Sequence, residues 1–142
     1  MENTIHNFRE LVKNGLSIDE IADIFIKRYY KPDDDFPIVS ILNNLNCSTF
    51  CVDVDSWPIT PEIINKPKCF ILGDTQVKER YNSDYAIAVS EHMGIIEHKF
   101  WFAYCLGYLL YNDVTALAMF SNVDKLSDYY KFAIKVTLPF IQ

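Results

Sequence analysis

The chain has 142 residues, of which 50% are hydrophobic and 23% charged. That length fits one domain spanning residues 1–142, and that balance supplies a core and excludes wholesale disorder. The net charge of −6, with the acidic run Asp33-Asp34-Asp35, argues against direct contact with DNA or RNA and suits a basic protein partner better.

The residues after Met1 show no basic region leading into an apolar stretch, and no apolar run is long enough to span a bilayer. The expected location is therefore the cytoplasm, away from membranes, with Cys47, Cys51, Cys69 and Cys105 reduced. Cys47 and Cys51 form a C-x-x-x-C, but no second pair has zinc spacing. They read either as packing residues or as a redox or metal pair.

The first third reads helical. Ile5, Phe8, Leu11 and Val12 recur at helical spacing, and Gly15 is a natural stop. Ser17 and Glu20 fit a capping box that opens a helix running to about Tyr30. Lys31-Pro32 and the three aspartates form a turn, and Phe36-Pro37 starts a short third helix whose apolar face is Ile38, Ile41, Leu42 and Leu45.

The middle third reads as sheet. Phe50, Val52 and Val54 alternate with Cys51, Asp53 and Asp55, a half-buried strand pattern. Trp57 to Pro67 is a proline-rich loop, and Cys69–Leu72 is a second strand stopped by Gly73-Asp74. The polar stretch Thr75 to Ser83 is expected to be a turn or an exposed hairpin arm, and Tyr85–Val89 a more buried strand.

The last third returns to helix. Ile95–Tyr111 is so apolar that it must be covered on most sides, with Gly107 expected to mark close packing against a strand. Asp113 is positioned to cap a helix through about Phe120, and Ser127 to cap a last one running toward Pro139. Helices, then strands, then helices argue for an α+β fold, a small sheet packed on helices around a buried central helix.

The central segment reads His98-Lys99-Phe100-Trp101-Phe102-Ala103-Tyr104-Cys105-Leu106-Gly107-Tyr108-Leu109-Leu110-Tyr111. It resembles the metal helix of the ImmA/IrrE family, where a basic-Phe-x-x-Ala run leads into His-Glu-Leu-Gly-His and then leucines. Lys99-Phe100, Ala103, Leu106-Gly107 and Leu109-Leu110 carry the likeness. Asp128-Tyr129-Tyr130-Lys131-Phe132-Ala133, then Leu138-Pro139, is similar to the family's second signature, an acidic residue followed by Ala-Asn-x-Phe-Ala and a later Leu-x-Pro. Ala86–Ser90 resembles the strand before the metal helix, and the Phe36-Pro37 helix the family's N-terminal proline-containing helix. The likeness covers Ile18 to Pro139 and implies a zincin-like fold.

It also implies a lost active site. A zinc peptidase helix places two histidines at i and i+4, with a glutamate beside the first to activate water. Here those positions are Tyr104, Tyr108 and Cys105, and only Asp128 keeps a ligand-type side chain, where the family has its third ligand. A phenol with a pKa near ~10 is a poor zinc ligand at neutral pH. The resemblance therefore implies a degenerate site without a catalytic metal or other cofactor, and not an enzyme. Tyr104 and Tyr108 either plug the old cleft, with Asp128 accepting a phenol proton, or line a groove that binds a partner. Glu91-His92 and Glu97-His98 read as surface residues at a strand–helix junction, the less ordinary alternative being a metal site of His98, Cys105 and Asp128. Cys105 as a lone nucleophile would need a histidine beside it.

Members of the family often sit on phages or other mobile elements and act on repressors. The expectation is a pseudoenzyme that binds a repressor or other regulatory protein. The alternatives are an inhibitor of a nucleic-acid-targeting defence enzyme and a residual peptidase with atypical ligands. Oligomeric state is left open.

Overall fold

A computed structural model describes residues 5–29, 37–53 and 67–137. Among them are six helices and a four-stranded mixed sheet, an α+β arrangement. None of the described helices is long and apolar enough to cross a membrane. Val54, the Trp57 loop, the Asp33–Asp35 turn, Phe36 and Leu138-Pro139 lie outside the described residues.

The opening helices follow their local signals. α1 (Ile5–Lys13) ends at Gly15, whose φ of +97° suits a residue without Cβ. Gly15 N donates to Val12 O and Leu16 N to Leu11 O, which satisfies the last carbonyls of the helix. α2 (Ile18–Tyr29) opens with the reciprocal capping box: Glu20 N donates to Ser17 Oγ and Ser17 N to Glu20 Oε1, both at 3.2 Å. α3 (Ile38–Asn44) starts after Pro37 and buries Ile38, Ile41 and Leu42.

The sheet runs in the order β1 (Cys47–Val52), β3 (Tyr85–Ser90), β2 (Cys69–Leu72), β4 (Leu117–Phe120). β1 is parallel to β3, and β2 is antiparallel to both β3 and β4. β3 is buried along its whole length, as its unbroken apolar run requires. β1 differs from expectation in which side is inward. Cys47 enters the core, while Phe50 points to the opposite face and meets Tyr81 in a tilted ring contact with centroids 5.0 Å apart.

Two segments overturn the sequence reading. Thr75–Tyr81 is a helix, α4, and not a turn or hairpin arm. Its stops are local: Asp74 Oδ1 accepts from Val77 N at 3.2 Å, and Asn82 closes the helix at φ 52°. With Val77 as its one buried residue, it has no apolar period to reveal it. Asp113 caps no helix, because Leu117–Phe120 is edge strand β4. Leu117 and Met119 are exposed while Ala118 and Phe120 are half-buried, a period of two too short to stand out.

α5 (Ile95–Tyr111) crosses the inner sheet face and is buried without interruption from Trp101 to Gly107. α6 (Asp128–Thr137) packs along it. Gly107 serves this helix pair and not a strand contact: a Cβ there would lie 2.9 Å from Tyr129 O and 3.0 Å from Phe132 Cδ1. Phe25 ties the outer helices together, stacking on Phe8 at 4.5 Å and meeting Phe132 edge-on at 5.5 Å. Such aromatic pairs add roughly 0.5–1.5 kcal/mol beyond the area they bury.

Candidate functional site

The tyrosines singled out in the sequence, Tyr104 and Tyr108, pack where α5 meets α6 and β4. Tyr104 and Tyr108 are one turn apart on α5 and share their neighbours. Their rings lie 5.5 and 4.9 Å from Phe120 and 5.0 and 5.1 Å from Tyr129, all in edge contacts. Trp101 closes on Tyr104 from within α5 at 5.2 Å. Tyr104 is 1% exposed, so its side chain is enclosed among these rings.

The partner of its hydroxyl is not Asp128. Asp124 N donates to Tyr104 Oη at 2.9 Å, from the turn that leads into α6. Burial pushes the Tyr104 phenol up to about 12, against the hydrogen bond from Asp124 N that favours the anion. The same turn is locked by Ser127, whose Oγ donates to Asp124 O at 2.6 Å and accepts from Tyr130 N at 3.1 Å as the expected helix cap. Asp128 is exposed at the start of α6. Its charge acts on Tyr111, whose hydroxyl is buried without a hydrogen-bond partner among the described residues and whose pKa is raised, first by burial and then by Asp128.

Cys105 turns the other way, into the core. It is fully buried and hydrogen-bonded to Cys69 of β2. Burial first, then Cys69, pushes its thiol well above the ordinary range, so it is held neutral and inert as a nucleophile. The grouping of His98, Cys105 and Asp128 does not form: His98 bonds Ser90 O at 2.7 Å, Cys105 is enclosed, and Asp128 is on the surface. Of the C-x-x-x-C pair, Cys47 is a buried packing residue with its thiol raised to about 12 by desolvation, whereas Cys51 is exposed. The described cysteines are all free thiols.

An accessible concavity lies elsewhere. A groove of about 440 Å³ runs between the start of α3, β1 and the first half of α5. Val39, Thr49, Phe50, Cys51, Ile95 and Phe102 form its mostly apolar wall. Ile95 is 74% and Phe50 37% exposed, and among the described residues no strand pairs with the outer edge of β1. Sequence reasoning placed these side chains in elements but missed the groove, because its walls come from segments up to 63 positions apart. The one local signal was Ile95-Ile96, a pair of apolar residues in the first turn of a helix, where polar residues are usual.

Arg9 was also missed. Its guanidinium donates to Leu109 O at 2.5 Å, Asn112 O at 2.9 Å and Tyr85 Oη at 3.0 Å. It also lies 3.5 Å from Asp113. It thereby caps the carbonyl end of α5 from a helix 100 residues away. Tyr85 donates to Asp113 at 2.7 Å, and that bond leads the causes that lower the Asp113 carboxyl below its usual range.

No family model, no curated protein and no solved structure matches this chain.

Proposed function

We propose that the chain is a non-catalytic protein-binding domain on a zincin-like scaffold, a pseudo-peptidase that holds an extended segment of a regulatory protein. The observation that carries this reading is the state of Tyr104: buried, ring-packed on four sides and hydrogen-bonded to Asp124 N. A helix so filled leaves no place for a metal-bound water, and the residue beside it, Cys105, is a neutral buried thiol. Support for the scaffold reading comes from Tyr104 and Tyr108 sharing one face, with Tyr129 of the facing helix, the residue after Asp128, against both rings.

The groove beside β1 supplies a binding surface. A segment added along a strand edge gains main-chain hydrogen bonds and sends alternate side chains the same way. Apolar side chains two apart would meet Ile95 and Phe102 on the groove wall. The regulatory nature of the partner, a repressor or similar protein of a phage or mobile element, is what the family resemblance adds.

A display library of random extended peptides tests the reading. The expected result is enrichment of sequences with alternating apolar residues, lost on Ile95→Glu. Failure to enrich any sequence, or enrichment that survives Ile95→Glu, overturns the groove assignment. Chelator-sensitive hydrolysis of a quenched peptide, abolished by Asp128→Asn, overturns the non-catalytic assignment.

A further inference from the structure

β1 and β3 run parallel and end side by side, with Val52 and Ser90 as their last paired residues. Asp53 follows the first, and Glu91 and His92 follow the second. The two exits are pinned together. Glu91 N donates to Val52 O at 2.9 Å, Ser90 N to Lys68 O at 2.9 Å, and His98 Nε2 lies 2.7 Å from Ser90 O. β1, the approach to β2 and helix α5 thus all fix the short turn that carries Glu91 and His92.

Three metal-ligand atoms converge there. His92 Nε2 is 3.0 Å from Asp53 Oδ1 and 3.6 Å from Glu91 Oε1. One donor atom from each residue lies within 4.8 Å of the others. We propose that Asp53, Glu91 and His92 form a binding site for a divalent first-row transition cation of the zinc type. The site is distinct from the filled position on α5 and does not depend on the binding reading above.

The distances favour an ion of that kind. A tetrahedral zinc with bonds of roughly 2.0–2.1 Å places neighbouring donors roughly 3.3 Å apart. The observed separations of 3.0 and 3.6 Å straddle that value. A small movement of three half-exposed side chains, at 46%, 48% and 52% exposure, would complete the geometry. Two carboxylates balance the charge of a dication, and the ion takes the place of a proton on His92 Nε2. The imidazole discriminates against magnesium, which prefers an octahedral oxygen shell. Three protein ligands leave a fourth position for water or for a donor from another molecule.

Equilibrium dialysis of chelator-stripped protein against zinc chloride tests the proposal, with magnesium chloride as the control. The expected result is saturable uptake of one zinc per chain, unaffected by millimolar magnesium. His92→Gln and Asp53→Asn should each weaken uptake at least tenfold. Cys51→Ser and His6→Gln should leave it unchanged. All four side chains are exposed, and circular dichroism checks that each variant is folded. Absence of saturable uptake by the parent protein, or undiminished uptake by either folded variant, overturns the proposal.

Discussion

The backbone N–H of Asp124 donates a 2.9 Å hydrogen bond to the hydroxyl of Tyr104, joining the middle of α5 to the turn that launches α6. The ring of Tyr104 and this one polar bond therefore fill the site together. Tyr104→Phe should cost about 1 kcal/mol, the value of a typical hydrogen bond, because it keeps the packing. Tyr104→Ala should cost about 3–5 kcal/mol, because it opens a cavity among Trp101, Phe120 and Tyr129. Urea denaturation of the two variants checks both values. Equal costs would mean that the ring contributes little and that the site is looser than its contacts indicate.

Alkaline pH should reach the same place. The Tyr104 phenol is raised from 10.0 to about 12 and the Cys47 thiol from 9.0 to about 12. A folded pKa raised above the unfolded value gives stability that is complete below the unfolded value. It is lost as pH rises toward the folded one. Stability should therefore fall from pH 9 to 12, first through Cys47 and then through Tyr104. Tyr104→Phe should make the fall above pH 10 shallower and leave the part carried by Cys47. Absorbance of tyrosinate followed beside circular dichroism checks this. Ionisation of Tyr104 well before unfolding would contradict the prediction.

How far these relationships could be read in advance depended on their range in sequence. The Ser17–Glu20 box, the Gly15 stop and the apolar length of α5 are local patterns, and each reads directly. α4 is also specified locally, by Asp74 and Asn82, but those caps enclose a polar segment and were legible only without the expectation of an apolar period. That Tyr104 and Tyr108 share one face of α5 was legible from their spacing, and the partner of Tyr104 was not. Asp128 offered a side chain, whereas the bond comes from the backbone of Asp124, a donor that every residue except proline carries. Asp53 and His92 are 39 positions apart and meet because β1 and β3 are parallel neighbours, a pairing no short motif encodes.

The guanidinium of Arg9 should be worth more than its charge. It is mostly buried and satisfies two carbonyls at the end of α5 besides bonding Tyr85. Arg9→Met, which keeps the stem, should cost about 2–3 kcal/mol, because two carbonyls lose a charged donor. Asp113→Asn should cost below about 1 kcal/mol, since that carboxylate is 63% exposed and its ion pair is screened by water. The Asp113 carboxyl is held low in the folded state, chiefly by Tyr85. Its contribution is thus present above the unfolded value and is lost as pH falls through the folded one. Thermal melts of both variants at neutral and acid pH check the ranking, which an equal loss for the two would reverse.

Gly107 sets the approach of α6 to α5. Alanine improves helix propensity by about 1 kcal/mol over glycine. Here its methyl carbon would stand 2.9 Å from Tyr129 O and 3.0 Å from Tyr129 Cα, which are backbone atoms that cannot swing aside. The steric effect should win, so Gly107→Ala should lower stability by about 1 kcal/mol net, and Gly107→Leu by roughly 3 kcal/mol or more. Urea midpoints with unchanged slopes check this. A stabilised Gly107→Ala would show that α6 can move away without loss.

The alignment of α5 with a metal-binding helix can be tested by rebuilding its ligands. Tyr104 and Tyr108 meet the same two rings, so histidines in their places would share one face and point toward the start of α6. In a His92→Gln background, which removes the separate cluster at the end of β3, the double change Tyr104→His and Tyr108→His should give weak uptake of one zinc. Asp128→Asn should then abolish it. Adding Cys105→Glu should destabilise the protein by several kcal/mol, because position 105 is fully enclosed against Cys69 and an ionised carboxylate there is unpaired. Dialysis and thermal melting read the two effects separately. A folded double variant that takes up no zinc would place the peptidase likeness of this helix in its sequence alone, and the filled position around Tyr104 would then be ordinary core.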